Sequence, residues 1–427
     1  DYGTTIDDEF YRQNGEFYYQ YIKALFFNSN LYGTNDLEQL SKIILGEGDG
    51  VIINHPVLFE LLLATFVNSF NISDTKEIYE LSHLLNFIIF YLSLICFYYF
   101  LYNYFNSKLL AISSILFLLF TPRILAESFY NSRDIFFLSL YIFNLSSAFF
   151  FLKNENLKSA FLFSFTSALL INAKVLGIVP PILFLLFYLF NNISKNKINL
   201  KSIKFLFTII TLIFFFIYLF WPYIWMEPIE KFIDAIQSII IAQNGVSVVN
   251  FYFGEYIFST NAPWHYRIVW FLITTPIIIL VFFSLGFFIS LYRITNSLIN
   301  INENNEDLWK DDIEMFSFYL FFTLIIIVFA TIKFNTSQFG GWRHLYFLYP
   351  IIIFFSIIAF KEVLKYFSSG KFIFFINLII IVNLLYIIFW SFAHHPHQQV
   401  FFNYFSKEYS KKNFDLDHWG VSHLYSL

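Results

Sequence analysis

Residues 371–391 read KFIFFINLIIIVNLLYIIFWS, an apolar run with a single charge at its start. A helix needs about 20 such residues to cross about 30 Å of hydrocarbon. Comparable runs recur along the 427-residue chain, in which 58% of residues are hydrophobic and 13% are charged. Because backbone groups inside a bilayer must form their hydrogen bonds within the segment, we expect an all-α polytopic membrane protein built as a helical bundle.

The apolar runs predict ten spans in this sequence, a few of which, 108–122, 158–174 and 177–192, are short at about 16 residues. The ten are expected near residues 84–103, 108–122, 134–152, 158–174, 177–192, 203–220, 267–292, 314–333, 344–364 and 371–391.

The segments between these runs define the expected organisation. Residues 1–83 mix polar and apolar stretches that are too short to span, which predicts a large first loop carrying surface-lying helices. Residues 84–391 are expected to form the transmembrane bundle, with external loops at 221–266 and 334–343. Residues 392–427 are expected to form an external C-terminal segment.

The distribution of Lys and Arg predicts the orientation. With the first loop outside, the short inward loops carry twelve Lys and Arg residues and the short outward turns carry few, as the positive-inside rule requires. The polar clusters described below then all lie on the external face. The inward cations are Lys108, Lys153, Lys158, Lys195, Lys197, Lys201, Lys204, Arg293, Lys310, Lys361, Lys365 and Lys371.

Composition excludes several classes of partner. The formal net charge of −4 argues against nucleic acid. Cys96 is the only cysteine, so a disulfide framework is excluded. His55 and the group His394-His395-Pro396-His397 have no carboxylate at metal-ligand spacing, so we expect no cofactor and no metal. The lipid bilayer is the one partner that composition requires.

Asp7-Asp8-Glu9 is the first polar cluster with chemical potential. A carboxylate at the mouth of a dry cavity can act as general base towards a hydroxyl acceptor. The alternative is that Asp7 or Asp8 caps the N-terminus of a surface helix. The sequence pattern alone favours neither the general-base interpretation nor the helix-cap interpretation.

The second cluster runs from Pro122-Arg123 to Asp134 and is expected in an outward turn between two spans. Arg123 and Asn131 could hold phosphate or sugar hydroxyls, because the guanidinium fork matches phosphate oxygens. The alternative is interfacial pairing of Arg123 with Glu127 four residues later.

Two further groups are expected at the same face. Lys174 ends a span, where a lone lysine is more often an interface anchor than a ligand. Gly340-Gly341 precede Arg343, His344 and Tyr346, and glycines let a backbone approach a ligand closely. The alternative is an aromatic belt with a snorkelling arginine.

Taken in this order, the segments resemble the GT-C superfamily of membrane glycosyltransferases, in the branch with protein O-mannosyltransferases and the aminoarabinose transferase of lipid A. Gly3-x-Thr5-x-Asp7-Asp8 looks like the Gly-x-Thr-x-Asp-Glu pattern of that branch, with Asp8 where Glu is usual. Asp7 then matches the catalytic carboxylate. The other similar segments are His55-Pro56, Pro122-Arg123 with Glu127 and residues 130–134, Trp221-Pro222, Arg343-His344-Leu345-Tyr346, and Asn403 with Asp417-His418-Trp419-Gly420.

The resemblance implies a GT-C-type bundle of about eleven spans, one of them before Asp1, and an external domain that continues past Leu427. It implies transfer of a sugar from a polyprenyl-phosphate-linked donor to a lipid, glycan or protein acceptor. The reaction would invert the anomeric centre, on the external or periplasmic face of the plasma membrane. The implied catalytic residues are Asp7 and Asp8, and the implied substrate-binding residues are His55, Arg123, Glu127, Asn131, Asp134, Lys174, Arg343, His344 and Tyr346.

A transporter or flippase of lipid-linked substrates is the alternative function. Transporters place ionisable residues inside their spans and show inverted repeats with broken helices. Here the expected spans are nearly free of charge and the polar groups collect on one side, which favours the transferase.

Overall fold

The computed structural model describes residues 8–27, 56–195, 200–245, 247–304, 309–334, 337–367 and 370–416. Within these ranges it has sixteen α-helices, and eight helices are long and apolar enough to cross a membrane. The prediction of a helical polytopic membrane protein is confirmed at this level. A two-stranded antiparallel hairpin is a small departure from the all-α expectation, and it pairs Val249 with Phe258 and Tyr252 with Glu255.

The helices and strands are numbered in chain order. They are α1 (Asp8–Phe27), α2 (Leu58–Ser69), α3 (Thr75–Phe105), α4 (Lys108–Leu119), α5 (Pro122–Tyr130), α6 (Asp134–Asn154), α7 (Leu157–Ala173), α8 (Val179–Ser194), α9 (Leu200–Phe220), α10 (Pro228–Gly245), β1 (Val249–Tyr252), β2 (Glu255–Phe258), α11 (Tyr266–Thr274), α12 (Ile277–Asn304), α13 (Asp312–Lys333), α14 (Tyr349–Tyr366), α15 (Gly370–Ala393) and α16 (Lys407–Asn413).

The expected boundary between residues 83 and 84 falls inside α3, so it does not coincide with the start of a helix; that it separates the loop from the membrane stays a prediction. Asp74 caps this helix by accepting a hydrogen bond from the Lys76 amide, so the helix begins ahead of the apolar run. The polar residues 75–83 continue the same helix as its first turns. A hydropathy pattern marks where a helix becomes apolar, not where it starts.

The segment 122–134, which was expected to be a turn, is mostly the helix α5, and its outward placement stays a prediction. Pro122 disfavours helical geometry at Thr121, whose backbone is extended at φ −68° and ψ 113°. The chain therefore bends by 67° between α4 and α5. The Thr121 hydroxyl is held at this bend by a 2.6 Å hydrogen bond to the Tyr349 hydroxyl.

The expected span at 267–292 is broken in the same way. Thr275, which precedes Pro276, is extended at φ −93° and ψ 139°, and it separates α11 from α12. The span expected at 158–174 corresponds to α7, an apolar helix of 17 residues and shorter than the eight long ones.

Helix α6 lies at the centre of the bundle. In the most apolar 18 residues of α6, 89% of the residues are buried inside the protein, whereas in the corresponding part of α15 only 11% are buried. Helix α15 therefore lies at the periphery of the bundle. Gly286 of α12 allows a close approach to α14, since a Cβ there would lie 1.9 Å from the Phe355 carbonyl oxygen. Small residues commonly permit such contacts between membrane helices.

Contacts join the polar segments at one end of the bundle. The Asn250 amide donates to the Gln338 carbonyl over 2.9 Å, and the Phe251 N–H donates to Asp415 over 3.0 Å. Arg133 donates to the Pro56 carbonyl over 3.3 Å, and Arg123 donates to the Phe401 carbonyl over 3.4 Å, which links the 122–134 region to the C-terminal segment. The first loop, the 122–134 region, the 221–266 loop, the segment before Arg343 and the C-terminal segment therefore meet at this end. That this end faces the exterior stays a prediction.

Cysteine labelling checks the orientation. In a Cys96→Ala background, Glu255→Cys at the hairpin turn should react with a membrane-impermeant maleimide in intact cells. Lys158→Cys, exposed near the start of α7 at the other end, should react only after permeabilisation. Labelling of both variants from the same side would contradict the predicted topology.

Candidate functional site

Asp134, the first residue of α6, is the centre of the polar cluster. Its side chain is only 2% exposed. Oδ1 forms an ion pair with Lys174 and lies 3.7 Å from Nδ1 of His344. Oδ2 lies 3.5 Å from Nη1 of Arg343. Three basic side chains from two other regions of the chain thus converge on one buried carboxylate.

Asn131 orients this carboxylate from the break between α5 and α6. Its Oδ1 accepts hydrogen bonds from the backbone N–H of Asp134 at 2.8 Å and of Arg133 at 3.2 Å, as an N-capping side chain does. Its Nδ2 donates to Asp134 Oδ2 over 3.1 Å and to Glu127 Oε2 over 2.6 Å. One amide therefore starts the helix and links two buried carboxylates.

Glu127 is held on its other oxygen by Tyr346, whose hydroxyl donates to Oε1 over 2.7 Å. Glu127 is 3% and Tyr346 is 1% exposed. Glu127 thus accepts its side-chain hydrogen bonds from Asn131 and Tyr346, whereas Arg123 makes its contacts with other residues. The alternative pairing of Arg123 with Glu127 is therefore not the arrangement that the structure has.

Arg123 instead lies between aromatic rings. Its guanidinium carbon is 5.1 Å from the Trp270 ring and 5.5 Å from the Phe402 ring, and Nε donates to the Phe401 carbonyl over 3.4 Å. Its Nη2 has no hydrogen-bond partner among the described residues, although the side chain is 7% exposed. Arg123 is thus a buried cation beside the cluster, held by π-systems.

The glycines before Arg343 set its position through backbone geometry. Gly340 and Gly341 have φ values of 63° and 70°, a region that favours glycine. A Cβ on Gly341 would lie 3.4 Å from the Trp270 ring, which is ordinary van der Waals contact, so glycine is favoured here by its backbone conformation; the close approach to a ligand stays a prediction. Trp342 then donates to Thr274 over 2.8 Å, which fixes the segment that starts at Arg343.

The first loop docks against the cluster through Arg133. Its guanidinium carbon lies 3.5 Å from the centre of the Tyr11 ring in α1, and its Nη1 lies 3.5 Å from Glu60 in α2. Burial raises the pKa of the Glu60 carboxyl, and the charge of Arg133 partly offsets that effect. Tyr11 is three residues after Asp8, so the start of α1 lies near the cluster.

Sequence reasoning missed Glu60. The sequence contained an indication of its role, because Glu60 is the one acidic residue of the apolar helix α2. A single acidic residue that is buried with such a helix needs a partner of opposite charge.

The carboxylate of Glu9 already accepts hydrogen bonds from neighbouring side chains. The hydrogen bond from Arg12, helped by Gln13 and Tyr79 and opposed by burial, lowers the pKa of Glu9 to about 2. A carboxylate with so low a pKa is a poor proton acceptor at neutral pH. Asp8 lies in the first turn of α1, and Asp7 precedes the described residues.

The outcome for the predicted site residues is therefore mixed. Lys174 is 25% and His344 is 30% exposed, so the cluster is accessible along that edge. Arg123 borders the cluster, and Asp8 is near it through α1. Asp7 and His55 lie outside the described residues, so their placement stays a prediction. The structure brings together Glu127, Asn131, Asp134, Lys174, Arg343, His344 and Tyr346.

Within the ranges that the structure describes, no three His, Cys, Asp or Glu side chains form a group that could hold a metal ion. Of the C-terminal histidines, His394 stacks on Trp390 with ring centroids 4.1 Å apart.

Comparison with known proteins supplies no family for the chain. No protein-family model matches the sequence, and no curated protein matches it significantly.

Asp134→Asn should destabilise the fold. It leaves Lys174 and Arg343 without their carboxylate, and breaking a buried ion pair costs about 3–5 kcal/mol. Thermal unfolding in detergent measures the effect. Asp134→Asn combined with Lys174→Met should recover part of the loss, because one unpaired charge is removed.

The matched control is Asp312→Asn. Asp312 pairs with Lys195 over 2.6 Å at the opposite end, but its side chain is 48% exposed. Exposed pairs contribute about 0–1 kcal/mol, so its unfolding temperature should change little. Equal shifts for Asp134→Asn and Asp312→Asn would contradict the central role of Asp134.

Proposed function

We propose that the protein is an integral-membrane glycosyltransferase of the GT-C type. It moves a sugar from a polyprenyl-phosphate carrier to a hydroxyl acceptor at the external face of the plasma membrane. The observation that carries the proposal is the convergence of Lys174, Arg343 and His344 on Asp134, beside the docked start of α1.

The charges in this cluster suit a phosphate leaving group. Arg343 offers a planar fork of donors, and Lys174 offers a compact charge on a flexible stem. Asp134 keeps both cations in place before a ligand arrives, and Asn131 in turn orients Asp134. Preorganised cations stabilise charge that develops on a leaving group without a reorganisation cost at the moment of reaction.

The place of the cluster along the helices suits a lipid-linked substrate. Asp134 is the first residue of α6, Arg343 begins a candidate span, and Lys174 directly precedes another. Charged side chains at span ends lie near the interface, where the phosphate of a membrane lipid also lies. A headgroup could therefore reach Lys174 and His344 along the exposed edge while its hydrocarbon chain stays in the bilayer.

The acidic run at the start of α1 would supply the general base. Because Glu9 is engaged with Arg12 and Tyr79, the candidates are Asp7 and Asp8. The resemblance in the first loop assigns the role to Asp7. The contact of Tyr11 with Arg133 supports this assignment, since it holds the first turn of α1 close to the residue before Asp134.

The reaction is a single displacement. The Asp7 carboxylate takes the proton of the acceptor hydroxyl, whose oxygen then attacks the anomeric carbon of the sugar. The bond between that carbon and the phosphate oxygen breaks, and its electron pair stays on the phosphate. Arg343 and Lys174 neutralise the added charge. Attack opposite to the leaving group inverts the anomeric centre.

The rival function, transport of lipid-linked substrates, receives less support. A translocation path calls for ionisable groups at membrane depth. The cluster residues Asp134, Lys174, Arg343 and His344 come from helix ends, which fits chemistry at one interface.

The acidic run provides the direct test. Asp7→Asn should lower the transfer rate by about 10²–10⁴-fold, because an amide keeps the shape but accepts no proton. The measurement is the release of polyprenyl phosphate from a panel of polyprenyl-phosphate sugars in native vesicles that carry the acceptor.

Glu9→Gln is the matched control and should leave the rate near wild type, since Glu9 is held by Arg12. Loss of turnover in Asp8→Asn with full turnover in Asp7→Asn would shift the base by one residue. Full turnover in both variants would overturn the assignment of a base to this run.

A further inference from the structure

A cavity lies away from the Asp134 cluster, between α11, α12, α13 and the segment that begins at Trp342. Its volume is about 280 Å³, and its wall is almost entirely apolar. Leu272 and Ile325, which line it, are 47% and 40% exposed on apolar helices. The cavity is thus half-open on a side that faces hydrocarbon when the helices are in a membrane. A bilayer lipid can enter it laterally.

Arg267 gives this apolar cavity a single cation. Its side chain is 8% exposed, and Nη2 donates to the Ser337 carbonyl over 3.2 Å. Its Nε has no hydrogen-bond partner in the part of the chain that the structure describes. No carboxylate among the described residues neutralises its charge. A buried cation without a counter-charge is costly, so the site favours an anion.

The cavity and the Asp134 cluster are separated by a protein wall. Trp342 lines the cavity on one side, where its ring centroid lies 5.3 Å from that of Phe271. On its other side, its ring centroid lies 4.6 Å from that of Tyr346. Tyr346 belongs to the cluster through its hydrogen bond to Glu127. Because Trp342 is 2% exposed and donates to Thr274, this wall is fixed. An occupant of the cavity does not need to enter the cluster.

The polar groups of the cavity lie together at one end. Arg267 is at the start of α11, next to Gln338, and Trp264 stands 62% exposed at the rim. Tryptophan at such a rim is typical of the membrane interface. Phe283, Leu324 and Val328 continue the lining along the spans. One end therefore suits an anionic headgroup, and the remainder suits part of a hydrocarbon chain.

We propose that this cavity binds an anionic glycerophospholipid of the bilayer, with its phosphodiester at Arg267 and one acyl chain against Phe283, Leu324 and Val328. The site is distinct from the proposed donor site and does not depend on the transfer reaction. Its occupant supplies the charge that Arg267 lacks and fills the apolar space between α11, α12 and α13.

Lipid retention by the full chain tests the proposal. The protein is reconstituted in nanodiscs with equal phosphatidylglycerol and phosphatidylcholine of matched acyl chains, and the lipids retained after mild detergent extraction are counted by native mass spectrometry. Wild type should retain phosphatidylglycerol about tenfold over phosphatidylcholine, a preference of about 1.4 kcal/mol. Both lipids bring a phosphodiester to Arg267, but in phosphatidylcholine the quaternary ammonium cancels the charge of that phosphate, whereas phosphatidylglycerol keeps its net negative charge. Arg267→Gln should bring the ratio close to one, and Arg267→Lys should keep part of it.

Two further variants make the test specific. Val328→Trp should fill the cavity and reduce retention of both lipids with Arg267 intact, so it decides the matter if Arg267→Gln does not fold. Arg293→Gln is the matched control, because Arg293 is exposed and pairs with Glu362 on a different surface. It should retain phosphatidylglycerol like wild type.

Three results would overturn the proposal. They are equal retention of the two lipids by wild type, a loss in Arg293→Gln as large as in Arg267→Gln, and displacement of phosphatidylglycerol by polyprenyl phosphate. The last would assign the cavity to the chain of the proposed donor, and the proposed function would survive it. Failure of transfer in Asp7→Asn, in contrast, leaves the lipid ratio unchanged.

Discussion

The carboxylate of Asp134 is buried at the start of the most buried span, and the arrangement of the neighbouring helices depends on neutralising it. Removing an ion from water costs several kcal/mol even after relaxation, so a buried carboxylate requires cations and hydrogen bonds around it. Lys174, before the span of α8, and Arg343, before α14, supply the charges. Asn131 supplies the hydrogen bonds and also starts α6. Three chain segments distant in sequence are thereby fixed at one end of the bundle.

The same requirement explains why the surrounding polar contacts are so dense. Glu127 is satisfied by Asn131 and Tyr346, and Tyr346 packs on Trp342, which is fixed by Thr274. Arg133 extends the network outwards and holds the first loop by its contacts with Tyr11 and Glu60. The acidic run at the start of α1 is thus tied to the cluster through a short chain of contacts. Lys174 and His344 remain partly exposed, and a ligand would meet them first.

Sequence reasoning recovered the membrane class, and it singled out seven residues that the structure brings together, because polar groups stand out in a mostly apolar chain. That these residues bind a substrate stays a prediction. It failed where proline and capping chemistry decide the path of the chain. Pro122 begins a helix where a turn was expected, Pro276 breaks the expected span at 267–292, and Asp74 starts α3 before its apolar run. The sequence also did not predict the partners of Arg123. Glu127 is four residues away, but the guanidinium of Arg123 lies between the Trp270 and Phe402 rings. Such tertiary contacts leave no local sequence pattern.

The central claim, that the cations around Asp134 hold the phosphate of a lipid carrier, is tested most directly by comparing polyprenyl phosphate with the polyprenol of equal length. Their affinities are measured in detergent for wild type, Arg343→Lys, Arg343→Ala and, as a control, Arg293→Lys. The account predicts that wild type binds the phosphate at least tenfold more tightly than the alcohol. It predicts that Arg343→Lys loses part of this preference with the fork geometry and that Arg343→Ala loses nearly all of it. Equal affinity for phosphate and alcohol, or equal affinities across the four proteins, would contradict it.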